Sequence, residues 1–163
     1  MTKFYIKQKY FSIQDKYRIF NKDEEELYYA KKRMFIDHLG LIRKYDEKEV
    51  FFIKREYFHF LPKYVLYRNH EQVAAVKMRF SLFASKFDIE SKYGDFQVYG
   101  DWLSHDFSIS LDGDEKARIH KMYLSFGDCY EIIVNALNNE EKEFYLALVL
   151  MIDNCIHNNK NNN

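Results

Sequence analysis

The sequence predicts a mainly β protein of about twelve antiparallel strands, arranged as six hairpins and closed into a barrel around one buried hydrophobic C-terminal α-helix. Three features predict this fold: a recurring aromatic or large apolar pair, polar breaks with the same spacing of roughly 23 residues, and an apolar C-terminal segment. Repeats at this period indicate one supersecondary unit copied along the chain. The repeated pairs are Tyr10/Tyr17, Met34/Leu41, Tyr57/Tyr64, Phe80/Phe87, Trp102/Phe107 and Tyr123/Tyr130.

The strands are indicated by alternation of apolar and polar side chains. Val76, Met78 and Phe80 fall on one face of an extended segment, and Lys77 and Arg79 fall on the other. The same alternation covers residues 4–11, 50–58 and 117–123. Outer turns are predicted at 21–26, 46–49, 68–72, 91–95, 111–116 and 135–139. Because an open sheet with this many strands curls or closes, we expect a barrel.

The last segment is predicted as a helix from about residue 140 to 156. Asn138 or Asn139 can cap its N-terminus, where acidic side chains favour the positive end of the helix dipole. Residues 144–152 carry no charge and are apolar on every side, so the helix must be buried all round. This run is well short of the roughly 20 residues that span a bilayer, and we expect no transmembrane segment. Residues 1–157 are predicted as one domain and residues 158–163 as a disordered Asn-rich tail.

Composition limits the function classes. The 163 residues carry 25 Lys plus Arg and 25 Asp plus Glu, so the net charge is zero and a nucleic-acid partner is not expected. Cys129 and Cys155 lie in apolar surroundings without metal spacing, and residues 1–9 lack the apolar stretch of a secretory signal. These features predict a cytoplasmic monomer with reduced, buried thiols.

The chain resembles the LURP-one-related family, including its small bacterial members. The resemblance covers nearly the whole chain and is carried by Tyr5–Ser12, Phe60–Tyr64, Leu124–Glu131 and the closing apolar helix with Asp153. It implies a fold similar to the tubby C-terminal domain, a twelve-stranded barrel around a central helix, and it implies no catalytic residue set. Relatives of that fold include phosphoinositide-binding tubby domains and phospholipid scramblases. The second unit, at residues 34–40, and the fifth, at 103–106, depart from the pattern.

Residue types that could support catalysis have simpler structural explanations. Asp15 and Asp128 occupy equivalent repeat positions, which favours a role in turns. His105 and Asp106 form an adjacent His/Asp pair in a predicted turn, which local hydrogen bonding explains. An apolar strand position should raise the pKa of the Cys129 thiol and make it inert. No zinc-ligand spacing or nucleotide-binding glycine loop is present, so we expect no catalytic residue, metal or cofactor site. The histidines are His38, His59, His70, His105, His120 and His157.

A set of Lys and Arg residues, the basic belt, is the remaining candidate for a functional site. Its members share the outward phase of successive hairpins, while the acidic turns should gather at another level of the barrel. The belt is either a solvated face that protects the strands or an anion-binding surface for phospholipid headgroups. The belt residues are Lys7, Lys9, Lys31, Arg33, Lys54, Lys77 and Arg79.

Three functional hypotheses follow. The first is a non-enzymatic binding or scaffold domain that contacts anionic phospholipid headgroups or a protein partner, peripheral at the membrane. The second is a membrane-acting protein similar to scramblases, in which the final helix enters the bilayer. The third is an enzyme whose residues meet only in three dimensions. A deep polar pocket with two or more of His59, His105, Asp106 and Asp128 would favour the enzyme, and a barrel filled by the helix would disfavour it.

Overall fold

The computed structural model describes residues 1–8, 15–33, 38–57, 63–80, 85–101, 104–124 and 127–160. These residues form twelve strands and one helix. The strands are β1 (Thr2–Gln8), β2 (Asp15–Phe20), β3 (Glu26–Arg33), β4 (His38–Arg43), β5 (Lys48–Glu56), β6 (Lys63–Arg68), β7 (Glu71–Phe80), β8 (Ser85–Ser91), β9 (Gly94–Asp101), β10 (Asp106–Leu111), β11 (Asp114–Leu124) and β12 (Gly127–Val134). The helix, α1, comprises Asn139–Lys160.

The strands form one closed antiparallel barrel in which every strand pairs with its neighbours in sequence and β1 closes the ring by pairing with β12. At the closure, Lys7 of β1 lies opposite Arg18 of β2 on one side and Cys129 of β12 on the other. Closure pairs both edges of the sheet, which removes the open strand edges that favour aggregation. The predicted fold class is therefore confirmed.

The repeated apolar positions form the inner wall of the barrel. The second member of every predicted pair is at least 95% buried in the core cluster, because period-2 alternation directs it toward the lumen. These residues are Tyr17, Leu41, Tyr64, Phe87, Phe107 and Tyr130. Of the first members, Tyr57 is exposed, and Tyr10, Met34 and Trp102 lie outside the described residues. Residues 34–37 of the irregular second unit and 102–103 of the fifth also lie outside them.

The helix fills the lumen. Every side chain from Glu143 to Ile156 is buried, as the absence of a polar face predicts. Asn138 caps the N-terminus, with its Oδ1 accepting from the Glu141 amide at 2.9 Å. The Glu141 carboxylate in turn accepts from the Leu137 amide at 2.8 Å. The helix ends at Lys160, past the predicted end at residue 156.

Several outer turns use left-handed backbone conformations. Asn69 and His70 both have positive φ, 49° and 67°, between β6 and β7. Asp112 and Gly113, with φ of 52° and 85°, do the same between β10 and β11. Paired positive φ angles match the right-handed twist of adjoining strands, and Asn, Asp and Gly tolerate them best. These turns lie at the end of the barrel where α1 begins.

We predict that truncation after Asn139 abolishes folding. Loss of the helix removes large buried side chains worth about 1.5 to 3 kcal/mol each, on the order of 10 to 20 kcal/mol in gross terms. This is comparable to the entire stability of a typical domain, about 5 to 15 kcal/mol. The measurement is thermal unfolding followed by circular dichroism, with removal of residues 161–163 as the control that should unfold as the full chain does. A soluble truncated protein with cooperative unfolding would contradict the prediction.

Candidate functional site

The outward face of β3 to β7 carries the larger part of the predicted basic belt. Lys31 and Arg33 of β3, Lys54 of β5 and Lys77 of β7 lie on the strand face opposite the buried core positions. Lys7 lies on the same outward face two strands away, on β1, and is exposed. Lys9 lies outside the described residues, as does the side chain of Arg79 in β7.

Strand register brings part of the belt together. Arg33 of β3 lies opposite His38 of β4, and His38 lies opposite Lys54 of β5, which forms one lateral row across three strands. On the next two strands, Lys63 of β6 lies directly opposite Lys77 of β7. Like charges directly opposite each other repel, so this grouping opposes stability and requires neutralising partners. His38 and Lys63 lie in these rows in addition to the predicted belt residues.

Acidic side chains on the same face neutralise some of these cations. Glu49 lies 3.2 Å from His38 Nε2 and 3.6 Å from an Arg33 guanidinium nitrogen. Lys63 pairs with Glu56 at 2.9 Å, and Lys77 pairs with Glu90 at 3.3 Å. Lys7, Lys31 and Lys54 have no acidic partner within 4 Å in the described part of the chain. The uncompensated positive charge therefore lies on those three lysines.

A stack of three aromatic rings lies among these cations. The His38 and Phe52 rings are 4.5 Å apart and 9° from parallel, and the Phe52 and Tyr67 rings are 4.8 Å apart and 10° from parallel. Gly40 lies opposite Phe52 and leaves room for Glu49, since a Cβ there would come within 2.2 Å of Glu49 Oε2. The outer face thus combines cations with partly exposed aromatic rings, as side chains at polar-apolar interfaces often do.

Inside the barrel, Asp153 of the helix holds two groups of the wall. Its Oδ1 lies 2.7 Å from His105 Nε2, and its Oδ2 accepts a hydrogen bond from the Tyr17 hydroxyl. All three side chains are buried, and the His105 ring packs against Tyr130 at 4.8 Å. This bond of His105 joins residues that are 48 apart in the sequence, which local spacing does not predict. Asp106 instead points outward, 3.7 Å from His120.

A second buried carboxylate lies near the start of the helix. Glu143 is 2% exposed and accepts from Arg43 Nε at 2.8 Å and from the Tyr28 hydroxyl at 3.2 Å. Burial, followed by the Glu143 charge, raises the pKa of the Tyr28 phenol. Burial opposes the charged form of Arg43, but its hydrogen bond and ion pair with Glu143 outweigh this and raise the pKa of Arg43. The trio therefore holds one buried ion pair with a neutral phenol beside it.

Neither interior trio was predicted as a unit. The only sequence signal is the presence of Glu143 and Asp153 next to an apolar run. Their partners lie on strands far away in sequence, so spacing along the chain could not identify them. Among His59, His105, Asp106 and Asp128, only His105 is seen in the interior, and His59 and the Asp128 side chain lie outside the described residues.

The two cysteines are free thiols, and both are buried. Burial raises the pKa of Cys129, with the nearby Lys7 charge opposing it, which confirms the predicted direction. Burial raises the pKa of Cys155 to about 12. Both thiols are therefore poor nucleophiles at neutral pH. In the described residues, no group of three or more His, Cys, Asp or Glu side chains is placed to hold a metal ion.

Comparison with known proteins places this architecture in a family. A family model described as LURP-one-related matches residues 2–153. The chain belongs to the LURP-one-related family. This LURP-one-related chain is 24% identical over 162 residues to a Bacillus subtilis (strain 168) protein described as uncharacterized protein YxjI, with 98% of this chain and 97% of that protein covered.

A solved structure supports the same fold. The X-ray structure of the Arabidopsis thaliana protein AT5G01750 superposes with a TM-score of 0.66 at 17% identity, over 94% of the LURP-one-related chain and 90% of the plant protein. At this identity the likeness concerns the fold alone. Within the described residues, the LURP-one-related chain has no helix with the length and apolar character needed to cross a membrane.

We predict that Arg43→Met destabilises the LURP-one-related chain by about 3 to 5 kcal/mol, because Glu143 would remain buried without a cation. The double variant Arg43→Met with Glu143→Leu should recover most of the loss, since no charge then remains buried. The measurement is urea unfolding at neutral pH.

Arg118→Met is the matched control for this prediction. Arg118 pairs with Glu115 on the exposed surface, where solvent screens the pair, so its loss should cost far less than the loss of Arg43. Equal losses for Arg43→Met and Arg118→Met would contradict the assignment of Glu143 as a buried, charged anchor.

Proposed function

We propose that this protein is a non-enzymatic binding domain whose outer β3 to β7 face docks on anionic phospholipid headgroups. The observation that carries the proposal is the lateral row of Arg33, His38 and Lys54, with Lys31 beside it and the Lys63/Lys77 pair on the next strands. Lys31 and Lys54 have no acidic partner within 4 Å among the described residues, so their charge is available to an external anion.

The aromatic stack supports a membrane surface as the anionic partner. His38, Phe52 and Tyr67 are partly exposed between the cations, and aromatic rings with a polar end favour the headgroup region. Each Lys or Arg near an anionic leaflet contributes about 1 kcal/mol. A face of this kind supports weak, reversible and salt-sensitive docking at the membrane periphery.

The two other hypotheses have less support. The side chains of residues 144–156 pack inside the barrel, so a scramblase-like entry of the helix into a bilayer would require removal of the protein core. His105 engages Asp153 in an apolar surrounding, and the adjoining cavity measures about 10 Å³. That space is close to one water molecule, which supports a role for His105 in holding the helix rather than in catalysis.

The test is cosedimentation with vesicles of phosphatidylserine and phosphatidylcholine at low and high salt. We expect binding at low salt that falls at high salt, because exposed charges are screened within about 8 Å at physiological ionic strength. Lys31→Glu with Lys54→Glu should weaken binding about thirty-fold or more, since two favourable contributions of about 1 kcal/mol each are lost.

Lys22→Glu with Lys48→Glu is the control of equal charge change. Both lysines are exposed near outer turns, away from the row on β3 to β5. This variant should bind as the unchanged chain does. Equal weakening by both variants would show that binding responds only to the net charge of the protein, which would contradict docking through this face. Absence of cosedimentation of the unchanged chain at low salt would also contradict the proposal. Salt-independent capture of a protein instead of vesicles would favour the protein-partner alternative.

A further inference from the structure

A cavity of about 410 Å³ lies beside the start of the helix, at the opposite end of the barrel from the basic row. Its apolar lining comes from Tyr93 in the β8–β9 turn, Leu111 of β10, Leu137, and Phe144 and Tyr145 of α1. The volume falls within the range of about 300 to 1,000 Å³ that is typical of small-molecule sites. Its lining residues come from turns between strands and from the start of the helix.

The apolar wall of this cavity includes two close contacts. Gly94 has a φ of 116°, and a Cβ at that position would come within 2.7 Å of Leu111 Cδ1, so glycine lets the turn pack closely against β10. Next to it, the Tyr93 ring meets the Phe144 ring edge-on at 4.8 Å, and the Tyr93 hydroxyl contacts Glu140 at 3.3 Å. Leu137 is 93% exposed at the rim, where an apolar side chain would gain from covering a ligand.

A tyrosine hydroxyl is open to the cavity. Tyr145 lines the cavity and is 6% exposed as a whole residue, and its hydroxyl makes no hydrogen bond to the described part of the chain. The O–H is therefore accessible to a ligand in the cavity. Burial and then the Glu141 charge raise the pKa of this phenol, so it stays protonated and able to donate.

A β-bulge adds a cation to the same cavity. In the β10–β11 pairing, Ile109 lies opposite Ala117 and Ser110 opposite Glu115, which leaves Lys116 as the extra residue of the bulge. Bulges redirect side chains, and here Lys116 lines the cavity rather than following the alternation of the strand. Within the described residues, the one acidic contact of its ammonium is a long one, 3.5 Å to Asp114, which is itself largely exposed.

The acidic groups of the cavity are engaged by the protein. Glu140 pairs with Arg68, and Glu141 accepts from the Leu137 amide. The Lys116 ammonium and the Tyr145 hydroxyl are donors in this lining, beside an aromatic and aliphatic wall, and Asn135 and Asn138 add amide groups. We propose that this cavity is a binding site for a small aromatic carboxylate, with the carboxylate held by Lys116 and Tyr145 and the ring packed against Phe144, Tyr93 and Leu137.

The test is isothermal titration calorimetry of the full chain with 2-naphthoate. We expect saturable binding of one molecule, and no binding of 2-naphthylmethylamine, which has the same ring but a cationic end. Lys116→Gln and Tyr145→Phe should each weaken naphthoate binding by about tenfold, because each removes one donor to a charged acceptor. Thermal unfolding of each variant verifies that the fold is retained; Lys116→Gln keeps the proposal testable if Tyr145→Phe is unstable.

Lys142→Gln is the matched control. Lys142 lies in α1, as Tyr145 does, but it lines a different cavity together with Thr2 and Tyr45. Its naphthoate affinity should equal that of the unchanged chain. Absence of naphthoate binding, equal affinity of the Lys116→Gln variant, or stronger binding of the amine than of the carboxylate would each overturn the proposal.

Discussion

Burial of a helix with apolar side chains on every side is the interaction on which the rest of this structure depends. A ring of twelve strands encloses more space than strand side chains alone can fill, and the helix from Asn139 to Lys160 fills it. The helix in turn cannot exist in water, because it has no polar face along its buried length. Barrel and helix therefore require each other, which makes the fold a single cooperative unit.

Two buried carboxylates set the position of the helix inside the barrel. Hydrophobic burial is non-directional and would tolerate a helix rotated or shifted along the lumen. Glu143 meets Arg43 and Tyr28 near one end of the barrel, and Asp153 meets His105 and Tyr17 farther along. Because each trio is satisfied in only one position, the two together select one depth and one rotation of the helix. A helix held at one depth and rotation also places Tyr145 in one position beside the cavity.

The fold was predictable because its signals are local, whereas the candidate sites were only partly so. Alternation along single strands placed Lys31 and Lys54 outward, as the structure shows. It could not align Lys54 with His38 and Arg33, since that row depends on the register of the β3–β4 and β4–β5 pairings. The same limit hid Lys116, whose direction is set by a bulge that the alternating pattern does not reveal.

The sequence by itself determined the family, the hairpin repeat, the inward residues Tyr17, Tyr64 and Tyr130, and the buried helix, because these depend on spacing between neighbours in the chain. Only the tertiary structure decided that His105 bonds to Asp153, that Arg43 neutralises Glu143, and that Lys116 and Tyr145 share a cavity. Such contacts join residues brought together by barrel closure, and their geometry depends on register and helix depth rather than on any local pattern.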